Sequence, residues 1–325
     1  MNKVTKFFGI DISKEVFDVS LPDGGHVQFA NDSEGHQQLC DLLDEHSHCV
    51  MEATGSYHQQ LATWLATSCY QVSVVNPLVI KRFAQMRLRL AKTDKADAKT
   101  IRQYAELEQP EAWSPPQEYI SQSTEINSLV MLFIRQRTAL KNKLHSVKHK
   151  AGNFKFIVKS LDRQIKILDQ EVSRLERCME ELIKKHEGEM FARLCTIPGI
   201  GRKTAMFLIV VTNGFKSFES SKQLSAFLGL APTIRVSGKS IRGQSRISKT
   251  GNKIIRNLLF MCSFTACEHN KACNELYERI VAKGKSKKLA LIAVANKLLK
   301  QSLAIAKSGT DYQENYTSIN PAISQ

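Results

Sequence analysis

Between Phe7 and Glu106 the chain sets down three strand-like segments before any helical pattern begins, and from there helix and strand alternate. "FFGIDI" (7–12), "VFDVSL" (16–21) and "HVQFA" (26–30) are short and rich in β-branched and aromatic residues, and "PDGG" at 22–25 is turn chemistry. A helix is expected from about Glu34 to Glu45, with Asp32 or Ser33 as its cap. A strand follows in "HCVMEA" (48–53), then a helix in "TGSYHQQLATWLATSCY", a strand in "QVSVVN" stopped by Pro77, and a helix that takes in "IKRFAQMRLRL". Another helix starts near Asp94 and runs to about Glu106. A meander followed by helix–strand alternation leaves room for little besides one mixed sheet with helices packed on it.

That order is the order of a ribonuclease H-like α/β domain, in which the first and fourth strands are neighbours. Asp11 sits in the middle of the first strand, where a carboxylate among apolar residues is costly without a partner. Gly9 and Ser13, next to it at strand period, are small and leave room beside it. Glu52 ends the fourth strand. In "LAKTDKADAKT" (90–100), Asp94 and Asp97 fall three apart, on one helix face. Taken alone, that pair reads as the solvated start of a helix, with Asp94 near the cap and Lys92, Lys95 and Lys99 as partners. Any one of the four acids reads equally as a capped or salt-bridged group. The four together are expected to converge, and hard oxygen ligands gathered in that way call for Mg²⁺, with water and phosphate completing its shell. Two such ions about 4 Å apart stabilise the attacking and leaving oxygens of phosphoryl transfer. Asp18, on the second strand, reads as structural.

"EQPEAWSPPQE" (108–118) carries three prolines and marks a boundary. Beyond it a helix of roughly 122–150 bears Ile126, Leu129, Phe133, Leu140, Leu144 and Val147. A second helix repeats Val158, Leu161, Ile165, Leu168, Val172, Leu175, Met179 and Leu182 at alternating steps of three and four, a heptad seam. "KAGNFKF" between them reads as a turn. The helices form an antiparallel hairpin, or the seam pairs two chains; its regularity favours the pairing. The expected division is 1–112, an α/β domain; 113–188, a helical hairpin or coiled coil; and 189–325, a mainly helical domain.

Charge concentrates in the last part. The chain carries a formal +15, and from residue 220 onward 17 Lys and Arg face 5 Asp and Glu. An excess gathered in one region points to a polyanion, above all nucleic acid. "IPGIGRKTA" (197–205) has the form of a helix-hairpin-helix, whose backbone amides at Gly199 and Gly201, with Arg202 and Lys203 behind them, suit a phosphate. A plain turn between helices fits the same letters. "TIRVSGKSIRGQSRISKTGNKIIR" (233–256) holds seven basic residues, Arg235, Lys239, Arg242, Arg246, Lys249, Lys253 and Arg256, and no acid. Its serines, Ser237, Ser240, Ser245 and Ser248, read as hydrogen-bond donors in a flexible phosphate-binding loop or, for one of them, as a nucleophile with Arg235, Lys239 and Arg242 stabilising the charge. No His or acid within the segment offers a base. A second basic run, "KGKSKKLALIAVANKLLK" (283–300), reads as a loop entering a helix, for phosphate contact or as a solvated face.

The eight cysteines have neither CxxC nor zinc spacing and read as reduced, core-filling thiols of a cytoplasmic protein. No apolar stretch approaches 18 residues and "MNKVTKFFGIDI" is too short an apolar run for a signal peptide, so no membrane partner is expected.

"GIDISKEVFDV", "MEATGSY", "VNP", "KTDKADAKTI", "IPGIGRKTA", "FLGLAP" and "SGKSIRGQSRISKTGN" together, in order over almost the whole chain, resemble the DEDD-type insertion-sequence transposases, which include the Piv-type DNA invertases and have a RuvC-like N-terminal domain. The resemblance places the family's four metal-binding acids on Asp11, Glu52, Asp94 and Asp97 and its catalytic serine on Ser237. It implies Mg²⁺, donor and target DNA, a noncoding guide RNA from the element's end, a covalent phosphoserine link, and a dimer or tetramer whose composite sites join the acids of one protomer to the serine of another. Transposition and Piv-type inversion are both open. Apart from the resemblance, a RuvC-like nuclease using water, a non-enzymatic nucleic-acid binder and a sugar-kinase-like ATPase compete, although no glycine-rich phosphate loop follows a strand.

Overall fold

The alternation of "KFFGIDI" decides the layering of the N-terminal part. In a computed structural model of the protein, which describes residues 5–53, 55–88, 93–233, 236–237, 241–242, 246–248 and 251–314, this segment is strand β1 (Lys6–Ile12). Phe8, Ile10 and Ile12 point to one side, where they join Phe17, Val19, Leu39, Cys49, Met51, Leu61 and Leu65 in an apolar core. Full burial of a side chain such as Ile10 or Phe17 contributes about 2 kcal/mol. β1 is flanked by β2 (Val16–Ser20), which pairs antiparallel, and by β4 (Ser47–Glu52), which pairs parallel. β3 (His26–Ala30) and β5 (Gln71–Val75) complete a five-stranded mixed sheet of order β3-β2-β1-β4-β5. The meander and the adjacency of first and fourth strands are as the sequence suggests, and the sheet fits a ribonuclease H-like domain.

Helices α1 (Ser33–Cys40) and α2 (His58–Thr67) cover the face with Phe8 and Ile10. α3 (Pro77–Met86) and α4 (Asp94–Glu108) cover the other, where Val50, Val75, Ile80, Ile101 and Ala105 form a smaller core. α1 is shorter than the expected 34–45. Asp44 collects the Ser47 hydroxyl (2.9 Å) and the His46 amide (3.0 Å) on its side chain, which makes a turn of what read as the last helical residues. α3 starts earlier than expected because Asn76 caps it, accepting from the Leu78 amide at 2.8 Å, with Pro77 at the first position. The proline-rich segment runs along the edge strand: Trp113 donates its amide to the Val72 carbonyl, and the Ser73 hydroxyl donates to Glu111.

The chain divides into two compact units, 1–116 and 117–325. The second begins with α5 (Glu118–Lys148) and α6 (Lys155–Cys195), packed on each other. Tyr119 donates to Glu187 at 2.6 Å and Arg137 to Asp169 at 2.6 Å. From one bond to the next, α5 advances as far as α6 retreats, so the pair is antiparallel in constant register. Within the seam Ile165, Val172 and Met179 are buried, and Val158, Leu161, Leu168, Leu175 and Leu182 are half-buried. The hairpin's base shares a core with α7 (Arg202–Thr212), α8 (Ser221–Phe227), α9 (Lys253–His269), α10 (Lys271–Ala282) and α11 (Lys287–Ser308). Among the described residues, α11 alone is long and apolar enough to cross a membrane by length and composition, contrary to the sequence expectation that no such stretch exists; half of that window is buried in the same core, with Val294, Leu298 and Leu299 fully so.

Candidate active site

Asp11 shares its face of β1 with Gly9, the face covered by α4. A Cβ on Gly9 would lie 2.3 Å from the Ala98 carbonyl oxygen and 2.3 Å from the Arg102 nitrogen, so the room left by glycine is filled by the backbone of α4. The helix is also anchored by Arg102, which is 8 % exposed and donates from Nε to Ser20 Oγ at 3.1 Å while pairing with Glu106. Its start is fixed by Thr93, not Asp94: Thr93 Oγ1 accepts from the Ala96 amide at 3.2 Å. With the cap and the crossing point fixed, the first turn presents Asp94 and Asp97. Carboxylates there are favoured by the helix dipole.

Across the sheet the same face carries a row of acids. Asp11 pairs directly with Asp18 in the antiparallel register of β1 and β2. One step past the Ile10–Met51 pairing of β1 with β4 stands Glu52, which itself pairs with Val75. The consequence is electrostatic. The Asp11 carboxyl is pushed up from 3.8 to about 6, first by burial and then by the charges of Asp97, Asp94, Glu52 and Asp18, in that order. Residues 7 to 86 positions away in sequence therefore act on one group. Asp18 differs from the rest: it is 4 % exposed and held by His26 Nε2 at 2.6 Å and Gln28 Nε2 at 3.1 Å, as befits a structural acid. Its contribution to the field around Asp11 was not anticipated, although "VFDVS" mirrors "GIDIS" across the turn.

Among the described residues, no three His, Cys, Asp or Glu side chains stand close enough to hold one metal ion as placed. The acids lie within Coulombic reach of Asp11 and not yet at ligand distance of a common point. The donor set nevertheless fits a hard divalent cation: all four candidates are carboxylates, and Asp11 carries a repulsion that a bound cation relieves.

The other candidates belong to the second unit. Gly199, in the turn between α6 and α7, has φ +104° and packs on α9, where a Cβ would come within 2.7 Å of the Ala266 Cβ. The turn is further held by the buried Asn270, whose Nδ2 reaches the Pro198 carbonyl at 3.4 Å. Gly201 precedes α7 as its cap residue and faces open space. Arg202 and Lys203 pair with Glu180 and Glu176 of α6. Arg256 donates to the Leu228 carbonyl at 3.0 Å, and Lys253 is exposed on the first turn of α9. The basic segment contains strands that the sequence reading did not expect. β6 (Pro232–Thr233) pairs with β9 (Arg246–Ile247), and between them β7 (Val236–Ser237) pairs with β8 (Ile241–Arg242), both antiparallel. The alternation in "TIRVS" was the available signal. Ser237 stands opposite Ile241. Arg235, Lys239 and Lys249, like Lys92, lie outside the described residues, as do the side chains of Ser237, Arg242 and Arg246.

Two family models match the chain: a DEDD-type transposase model over residues 8–148, and one described as the transposase IS116/IS110/IS902 family over residues 191–278. The chain is 32% identical over 326 residues to the pilin gene-inverting protein of Moraxella bovis, covering 95% of this chain and 98% of that one. The Moraxella lacunata protein of the same name matches to the same extent. It is 24% identical to the transposase for insertion sequence element IS1111A of Coxiella burnetii, covering 91% of this chain and 88% of that one. The chain belongs to the IS110 family of DNA transposases and recombinases.

Proposed function

We propose that the protein cuts and rejoins DNA at a site where Asp11, Glu52, Asp94 and Asp97 hold Mg²⁺ and Ser237 is the nucleophile. The observation that supports the metal half is the Asp11 carboxyl, raised first by burial and then by the charges of Asp97, Asp94 and Glu52 together. Mg²⁺ bound there supplies stabilisation of charge on the phosphate oxygens. The four carboxylates hold and orient it, with α4 setting the distance of Asp94 and Asp97 from the sheet. Ser237 Oγ attacks a phosphodiester and loses its proton as the new P–O bond forms; the displaced sugar oxygen leaves as a hydroxyl. Attack on the phosphoserine by a hydroxyl of another strand releases the serine and rejoins the DNA. Supporting Ser237 is its place on a strand paired antiparallel within a basic segment that contains no acid, where arginines and lysines stabilise phosphate charge. The turn at 197–201 acts as a helix-hairpin-helix that contacts backbone phosphate without reading sequence.

The remaining parts rest on the family resemblance: a noncoding RNA that pairs with donor and target DNA, and a dimer or tetramer that joins acids and serine from different protomers. The half-buried residues of the α6 seam suit a second helical pair in such an assembly. The protein then works in the cytoplasm, on chromosomal DNA. The pilin gene-inverting relatives favour a second reading of the outcome, inversion of a segment instead of its transfer.

The test is to incubate the protein with end-labelled substrate DNA and Mg²⁺ and resolve it under denaturing conditions. A labelled protein band that is lost in Ser237→Ala supports the nucleophile. Cleavage with no covalent band, unchanged in Ser237→Ala, assigns the site to metal-activated water, as in a nuclease. Sequencing RNA that co-purifies with the protein tests the guide: an enriched transcript from DNA flanking the gene is expected.

A further inference from the structure

We propose that the distal end of the α5/α6 hairpin grips the phosphate backbone of duplex DNA, in a shallow concavity at its turn lined by Lys148, Lys150, Lys155 and Lys159. The inference rests on the chain acting on DNA and adds a contact surface apart from residues 197–256.

The charge is arranged along the hairpin in two halves. Between Glu125 and Asp162 the sequence has eight Lys and Arg and no Asp or Glu. Nearer the base, acids are interleaved and matched: Asp169 with Arg137, Glu171 with Arg174, Glu180 with Lys184, Glu176 with Lys203. At the turn the four lysines are all exposed, and among the described residues none of them forms an ion pair. Like charges so close together repel and are tolerated best where a polyanion neutralises them. Lys141, exposed and two turns before Lys148 on the same face of α5, extends the basic surface by about 10 Å.

Chemistry selects duplex over single strand. Single-strand sites interleave basic groups with aromatic platforms on which bases stack. The ring in this concavity, Phe154, is packed on Gly152, where a Cβ would lie 3.1 Å from the ring. Phe156 is 85 % exposed but lies outside the concavity. Lysines are point charges that meet phosphate oxygens without a bidentate fork for base edges, so the grip is independent of sequence.

The experiment is fluorescence anisotropy of the full chain with a duplex of about 40 base pairs of arbitrary sequence and with a single-stranded RNA of the same length, over a salt series. The variant K148Q/K150Q/K155Q/K159Q is expected to reduce the slope of log affinity against log salt by about 3.6 for duplex DNA, at about 0.9 per phosphate contact, with a smaller change for RNA. Phe156→Ala is expected to leave duplex affinity unchanged. An unchanged duplex slope overturns the proposal, as does a loss for RNA equal to or larger than that for DNA. If the fourfold variant melts early, Lys150→Gln with Lys159→Gln is expected to remove about half of the slope change, and no change there is equally fatal. The binding series is run in chelator, where no cation site contributes, so failure of the catalytic reading and failure of the grip are read separately.

Discussion

Gly9 lies directly beneath Arg102: the backbone of α4 passes so near that an added methyl would sit 2.3 Å from the Arg102 nitrogen. One missing side chain in β1 thus sets how low α4 rides, and with it the position of Asp94 and Asp97 one to two turns upstream. Gly9→Ala is expected to lift the helix, cost about 2–3 kcal/mol through overpacking against backbone, and lower recombination by about a hundredfold or more through misplaced acids. Denaturant unfolding and a strand-exchange assay measure the two effects. Near-wild-type activity in Gly9→Ala would show that the acids do not depend on this crossing.

Asp11 gives a pH signature in the metal-free protein. Its carboxyl is raised to about 6 in the fold, against 3.8 for the free group. Below about pH 3 both states are protonated and the group has no effect on stability. As pH rises toward 6 the unfolded chain ionises first, and stability falls until the folded carboxyl has also titrated. Asp11→Asn removes that loss. In chelator it is expected to be more stable than wild type at pH 7 by about 1 kcal/mol, after discounting for partial exposure, and to match wild type at about pH 3. Thermal melts at the two pH values check the sign.

Asn270 is 1 % exposed and ties four elements together: Nδ2 donates to Gln301 at 3.0 Å and to the Pro198 carbonyl, and Oδ1 accepts from the Cys273 amide and from the Tyr312 hydroxyl at 3.1 Å. Asn270→Leu strands several buried polar groups and is expected to cost about 3 kcal/mol. If this turn also contacts phosphate, nonspecific DNA affinity falls with it even where the protein remains folded, which filter binding at two salt concentrations measures.

The readable parts of the fold were those that local chemistry dictates. Alternation in "FFGIDI" and "VFDVS" and the prolines after Gln109 each act within a few residues and could be read from the letters. The adjacency of Asp11 and Glu52 was legible because strand order alone sets β1 beside β4. What could not be read depends on distant partners. Nothing near Gly9 announces that Ala98 and Arg102 press against it, since its neighbours in sequence show only space. The heptad seam reads the same whether its partner helix belongs to the same chain or to another; in this chain α5 occupies it. The "IPGIG" turn suggests phosphate binding from its glycines, whereas Gly199 is used to approach Ala266, some 67 residues away. The strands around Ser237 escaped because each pairing is two residues long.

Titration of the metal-free full chain with Mn²⁺, followed by electron paramagnetic resonance, bears most directly on whether the acids of the sheet and of α4 form one cation site. Wild type is expected to bind Mn²⁺ in competition with Mg²⁺, and Asp11→Asn, Glu52→Gln and Asp97→Asn are each expected to weaken binding by about tenfold or more. Equal Mn²⁺ binding by wild type and all three variants would contradict a shared site.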